Sequence, residues 1–425
     1  MDTLVPGTTW ADRVKPRAQP SVQDLLRFGL WMGVVGFGGG LSVVATVRDG
    51  AVHRRGWVTE REFDNTATVA QMLPGGAAAN ALALLGLRFF GAGGALAAYA
   101  AFILPGFVAT VTLAVLYGSV SGSAPLAALF SGFSAAVVGI VGAITLQMVN
   151  SSVGRFWQMG IAAMALAMSL AGGASSGEIA LVGIGAGLVL DLGTKRARLA
   201  RSRRGGGGRG REVALPDEGE PFPPPDRGTL QAVVAPALAA ALLSALAGGT
   251  LLSLALLFLR TGLGAYGGGF AIVPHLKATL VGSGALTERE FADAVAIGKI
   301  TPGPVLLVAT FIGYVKSGIA GAIVSTAAIF AAPLVLTVAL GRWLARYRSR
   351  RMVRAALRGL TPAVVGTFAA AAITLASGLS GPREIAIAAA VGLTLTRFRV
   401  NPTLMLALGG VANLLASGVL RGVVR

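Results

Sequence analysis

The chain is 425 residues long, 54% apolar and only 13% charged, with a mean hydropathy of +0.73. That balance cannot cover a soluble domain of ordinary surface and predicts a membrane protein. With no cysteine and two histidines, His53 and His275, disulfides, thiolate metal sites and imidazole metal clusters are excluded, and no metal or cofactor is expected. A net charge of +18 would suit nucleic acid on a soluble face, but here it concentrates in the short gaps between apolar runs. It therefore reports topology, and no nucleic-acid partner is expected.

In chain order, apolar runs of the length that crosses a hydrocarbon core recur almost from end to end. The first twenty residues lack an apolar core and cleavage site, so no signal peptide is expected. Runs at roughly 24–46, 66–90, 92–118, 124–150, 155–172 and 176–193 make residues 1–194 a first unit of about six spans. Residues 195–211 carry Lys195, Arg196, Arg198, Arg201, Arg203, Arg204, Arg209 and Arg211 without an acid, and an acidic, proline-rich stretch follows to Pro225. Residues 195–228 read as a disordered cytoplasmic linker. Residues 229–249 contain an extra apolar run, Leu230 to Leu246. Runs at roughly 250–275, 291–316, 318–341, 353–377, 383–396 and 402–422 then make 250–425 a second unit. The runs lack the alternation of barrel strands, so an all-α polytopic fold of about thirteen transmembrane helices is predicted.

The two units are copies of one another. Phe37-Gly38-Gly39-Gly40, Thr59-Glu60-Arg61-Glu62-Phe63 and Pro74-Gly75-Gly76 return as Tyr266-Gly267-Gly268-Gly269, Thr287-Glu288-Arg289-Glu290-Phe291 and Pro302-Gly303-Pro304. The offset is 229 at the glycines and 228 from the second motif onward, pairing Arg88 with Lys316 and Pro105 with Pro333. An odd insertion between the copies flips the second one. In agreement, Arg342 to Arg358 holds seven arginines and no acid, whereas its counterpart Ser119 to Ala124 is uncharged. This pattern predicts an inverted-topology repeat with a cytoplasmic N-terminus and linker. The loop 47–64 disagrees, being counted outside yet rich in arginine; a re-entrant first segment removes the conflict.

The motifs FGGG, RRGWVTEREF and AQMLPGG, with YGGGFAIVP, LTEREF and GKITPGPVLLVATFIGY in the second copy, resemble the chromate ion transporter family of bacteria in its long, two-domain form. The resemblance covers nearly the whole chain, and the stretch Gly298 to Tyr314 is its more specific part. Family members usually have proline where Gly40 and Gly76 stand, and a threonine-glutamine pair where this chain has Ala79-Asn80. The resemblance implies efflux of chromate across the bacterial inner membrane, conferring chromate resistance. It also implies sulfate as a chemically similar anion, an antiport driven by the proton gradient, and no enzymatic reaction. A carrier for sulfate or another anion, and an anion channel on the same scaffold, are the alternatives; a homodimer is compatible with either.

The residues agree in kind. A tetrahedral dianion inside a bilayer needs fixed positive dipoles, which the N-termini of interrupted helices supply. Glycine permits close approach, and proline shapes the break without offering an N–H. The substrate-binding candidates are Gly38, Gly39, Gly40, Pro74, Gly75, Gly76, Gly267, Gly268, Gly269, Thr301, Pro302, Gly303 and Pro304; close helix packing is the competing role for the glycines. Lys299, directly before the Thr301-Pro302-Gly303-Pro304 break, is the candidate counter-charge, against snorkelling to the interface. Arg48, Arg88, Lys277 and Lys316 are candidates for the anion path, against roles as topology or lipid anchors. Glu62 and Glu290 complete capping boxes with Thr59 and Thr287. Together with Asp64 and Asp293 they are also the candidate proton relays.

Overall fold

The computed structural model describes residues 19–36, 40–120, 123–202, 231, 249–347, 350–379, 381–398 and 400–417. Gly38, Gly39, most of the linker and nearly all of the extra apolar run lie outside them. Every regular element among the described residues is a helix: α1 (Val22–Val35), α2 (Gly40–Arg48), α3 (Glu60–Met72), α4 (Ala77–Val120), α5 (Ala124–Ser152), α6 (Phe156–Leu170) and α7 (Ser176–Ser202) come first. The second copy gives α8 (Gly249–Leu263), α9 (Val273–Leu280), α10 (Glu288–Ile300), α11 (Val308–Tyr347), α12 (Arg351–Ala376), α13 (Pro382–Arg397) and α14 (Pro402–Ala416). α7 runs to Ser202, so the first basic residues assigned to the linker are helical.

Four of these helices, α4, α5, α11 and α12, are long and apolar enough to cross a membrane. These four are fewer than the thirteen crossings expected, and the other apolar helices among the described residues are shorter. α4 is not one rod: Phe90 and Gly91 leave helical geometry, and a Cβ on Gly86 would lie 2.9 Å from the backbone nitrogen of Ala95. Residues nine apart in a continuous helix are separated by about 13 Å, so the chain turns back on itself at Gly91. α11 does the same at Ser317 and Gly318, with Gly313 against Gly321. Gly318 follows Gly91 by 227 residues, one fewer than at the prolines, so Arg88 comes opposite Val315 rather than Lys316.

The first arm of α4 (to Phe89) also runs back along α3, because Arg88 near its end pairs with Glu62 in the first turn of α3. Residues 60–89 are thus a helical hairpin with Pro74-Gly75-Gly76 at its tip. In the second copy Lys316 Nζ donates to the carbonyl of Ala285, just ahead of α10, at 2.6 Å, closing an equivalent hairpin around Pro302-Gly303-Pro304. α1 and α2 fold back in the same way. Gly50, beyond α2, lies against the ring of Phe28, where Trp57 packs edge-on at 5.3 Å and the Arg55 guanidinium stacks at 4.5 Å. The loop residues Gly50, Arg55 and Trp57 thus pack against the middle of α1.

The two copies are interwoven. α1 packs along α4 as α8 does along α11, whereas α5 carries α13 and α14 of the second copy and α12 carries α6 and α7 of the first. The long arm of α4 starts beside Arg88, at the base of the α3 hairpin, and ends with Tyr117 hydrogen-bonded to Asp293, at the base of the α10 hairpin. At the opposite end Asp191 of α7 accepts from Arg351 Nε at 2.7 Å.

Candidate functional site

The two Pro-Gly tips meet the chain just ahead of each glycine run, laced crosswise between the copies. The amide of Gly75, in the first Pro-Gly tip, donates to the carbonyl of Ala265, ahead of the second glycine run, at 2.8 Å. The amide of Gly303, in the second tip, donates to the carbonyl of Gly36, ahead of the first glycine run, at 3.2 Å. Both tip glycines have positive φ, 101° and 102°. This is the left-handed region that glycine occupies without a Cβ penalty. Gly76 lies against Pro304, so the tips touch each other as well. The amides expected to face an anion at Gly75 and Gly303 are thus engaged by carbonyls in this conformation. Gly76 and Ala77, opening α4, make no cross-link of this kind.

Each tip is held differently. In the first, buried Asn80 donates Nδ2 to the carbonyls of Ala70 at 3.1 Å and Pro74 at 2.9 Å, and its buried Oδ1 is unpartnered beside Gly75. In the second, Thr301 is buried and returns its hydroxyl to Ile297 at 3.0 Å, while Leu307 N–H reaches Pro304 O at 3.1 Å. Pro302 is pressed by the helix at Gly106, and Gly75 and Gly262 both abut Pro333, so α4 at Gly106 and α11 at Pro333 back the tips. Gly267 and Gly269 have φ of 71° and 100°, letting the second glycine run bend under Phe368 and Val305. Gly40 opens α2, and Gly268 closes the short turn Tyr266–Gly268.

Lys299 is 6% exposed, one turn from this junction, and among the described residues its ammonium has no ion pair or hydrogen bond. Its one close neighbour of note is the ring of Phe270, 5.4 Å away. The first-copy counterpart, Gln71, is exposed. A cation so placed in a helix-rich membrane interior is costly, and a bound anion would offset it.

The other charged candidates are not at the tips. Arg48 pairs with Glu60 at 2.5 Å and lies 3.8 Å from Asp64; Lys277 pairs with Glu288 at 2.7 Å, repeating the first pair in the second copy. Arg88 pairs with Glu62, and Lys316 caps Ala285. All four cations thus sit at hairpin bases with partners. Glu62 and Glu290 close the expected capping boxes on Thr59 and Thr287, and Asp64 is exposed. His53 pairs with Glu60 at 3.0 Å. Asp293 alone among the relay candidates is buried, at 4% exposure, with Tyr117 Oη donating at 2.8 Å.

Sequence reasoning missed Arg260. A cavity of about 1270 Å³ runs along α7, α8, α11 and α12 and reaches Pro74 and Tyr266 at the crossed loops. Its walls are leucine-rich, and its polar groups include Arg260, His275 and Glu178. Arg260 has no ion pair among the described residues, and His275 Nδ1 is buried without a partner. An arginine inside the apolar run 250–275 was the available signal.

Four membrane-length apolar helices around a junction of re-entrant loops define a multi-pass membrane protein. The chromate transporter family model matches residues 23–190 and 252–414, and the chain belongs to this family. It is 27% identical to a chromate transport protein of Cupriavidus metallidurans over 87% of this chain and 86% of that one. It is 30% identical to a probable chromate transport protein of Synechococcus elongatus over 84% of each, and 26% identical to an uncharacterized transporter of Methanocaldococcus jannaschii over 77% and 78%. No solved structure matches it.

Proposed function

We propose that the protein is a secondary carrier that exports chromate, or a tetrahedral oxyanion like it, from the cytoplasm in exchange for protons. The observation that carries this reading is the buried, unpaired ammonium of Lys299 beside the crossed Pro-Gly and glycine loops. The family and its chromate-named relatives supply the substrate class. In the proposed state with anion bound, Lys299 holds the dianion, and the N-terminal amides of α4, from Gly76 to Ala78, complete the shell.

The reading takes the copies as an inverted repeat. In its support, the long arm of α4 leaves the first hairpin base and ends at the second, and the long arm of α11 departs from the second base. Asp191 of α7 pairs with Arg351, which lies in the basic segment 342–358 that the charge pattern assigns to the cytoplasm. The cross-strapped tips, whose Gly75–Ala265 and Gly303–Gly36 bonds are counterparts of each other, are then the moving part.

The test is chromate flux by purified protein in proteoliposomes under an imposed proton gradient. Saturable, gradient-dependent flux that sulfate competes with supports a carrier. Ohmic current insensitive to the gradient would replace it with a channel.

A further inference from the structure

The cavity that Arg260 lines is a cleft between two helix pairs, α7 with α12 and α8 with α11. One end lies at the crossed loops. There Gly177 of α7 abuts Gly264, just past α8, and Pro74 and Tyr266 line the cavity beside Gly75 and Ala265, whose hydrogen bond of 2.8 Å straps this end. The other end is lined by Leu188 and Met352, three residues from Asp191 and one from Arg351. Asp191 and Arg351 are paired, and Arg351 belongs to the basic segment that the charge pattern assigns to the cytoplasm. Leu188 follows Gly177 by eleven residues of helix, so the cavity is about 16 Å long. Its volume of about 1270 Å³ admits about 40 waters at roughly 30 Å³ each, enough to keep an entering ion hydrated.

The charged groups of this cleft belong to its strapped end. Arg260 is one turn before Gly264, and Glu178 follows Gly177 directly. Arg260 and His275 both act electrostatically on Glu178, which places the three near one another. Glu178 itself is tied to the start of α7, where its carboxylate accepts from the Ser175 amide at 2.7 Å. Arg260 makes no ion pair with it among the described residues, and is a cation without a contact partner between leucine-rich walls. Lys299 does not line the cavity: it faces the ring of Phe270, which ends the glycine run that Tyr266 opens.

We propose that this cavity is the vestibule by which the oxyanion enters from the cytoplasm, and that Arg260 draws it to the Gly75–Ala265 strap on its way to Lys299. The inference rests on the oxyanion reading above. Leucine walls do not attract an anion, so its concentration in the vestibule is set by charge: Arg260 raises it and Glu178 lowers it. Ser253 lines the same cavity two turns before Arg260 on α8, about 10 Å away along the axis, and its hydroxyl is turned to the Gly249 carbonyl. At that distance, and with an effective dielectric constant between about 20 and 80, removing the Arg260 charge lowers the concentration of a monovalent anion at Ser253 by about 2- to 17-fold.

The test uses the absence of cysteine from the chain, which makes the thiol of Ser253→Cys unique. In inverted vesicles, whose outer surface is the cytoplasmic face, that thiol should react with membrane-impermeant thiosulfonates, one bearing a sulfonate and the other a trimethylammonium group. At low ionic strength, adding Arg260→Gln should slow the anionic reagent by about 2- to 17-fold and speed the cationic one. Adding Arg260→Lys should leave both rates in place, and adding Glu178→Gln should shift their ratio the opposite way. A bulky label on the thiol should stop chromate flux that a methyl label leaves running. A rate ratio indifferent to Arg260, or flux that continues past the bulky label, would overturn the vestibule. So would reaction with a lipid-soluble maleimide alone, which would give the cleft to a lipid chain. The labelling rates do not depend on the substrate, so absence of chromate flux from folded wild-type protein would instead sink the oxyanion reading, and the inference with it.

Discussion

Replacing Lys299 with methionine should strengthen the fold and stop transport. Lys299 is 6% exposed, and its ammonium has no hydrogen-bond or ion-pair partner among the described residues. A lysine at membrane depth costs about 2.5–3.5 kcal/mol on insertion scales. The Phe270 ring, 5.4 Å away, returns about 0.5–2 kcal/mol as a cation–π contact. Methionine keeps the unbranched stem and its packing while removing the charge. The net expectation for Lys299→Met is a gain of about 1–2 kcal/mol, roughly tenfold in the folding equilibrium, in apo protein titrated with denaturant in detergent. Chromate protection should disappear, because binding stabilises only where the ligand still prefers the folded site. A variant that is less stable than wild type and still protected by chromate would refute the reasoning, since Lys299 would then be a packed structural residue.

Gly75→Ala should cost more than Gly303→Ala: both force a side chain into positive φ, worth about 1–2 kcal/mol, but only at Gly75 does the new Cβ fall 2.7 Å from Pro333 and 3.2 Å from Asn80 Oδ1. Thermal unfolding of the two variants side by side checks the order. A double-mutant cycle on Arg88→Met and Glu62→Gln should give a coupling of about 0.5–3 kcal/mol in stability and leave the chromate KM near wild type, because this pair closes a hairpin base. Arg260→Gln should raise KM for chromate with little change in kcat, as expected of a cation that gathers the anion in the cavity without holding it at the junction; an unchanged KM counts against that role.

The duplication, the helical class and the breaks were legible in the sequence because each leaves a local mark: repeated motifs at one offset, apolar runs without alternation, and Pro-Gly pairs interrupting those runs. The capping boxes at Thr59 and Thr287 formed as their spacing dictates. Hairpins were not legible, since a run of about 25 apolar residues has the same composition whether it crosses or folds back at its centre. What decides is the pairing of Arg88 with Glu62 and of Lys316 with Ala285, contacts between residues 26 and 31 apart. The same limit applied at the site. Lys299 was found by its position beside a break, but the role of the Gly75 and Gly303 amides in crossing to the other copy depends on tertiary geometry. Tyr117 was overlooked because its partner Asp293 lies on a distant helix, and Arg260 because the cavity it lines is built by helices far apart in the chain.

The most direct test of the carrier is chromate accumulation by inverted vesicles containing this protein, with and without a proton gradient, compared with Lys299→Met at equal expression. Saturable, gradient-dependent accumulation that sulfate inhibits and the variant lacks is the predicted result. Equal accumulation by both proteins would contradict a site built on Lys299, and none by folded wild-type protein would contradict chromate as its substrate.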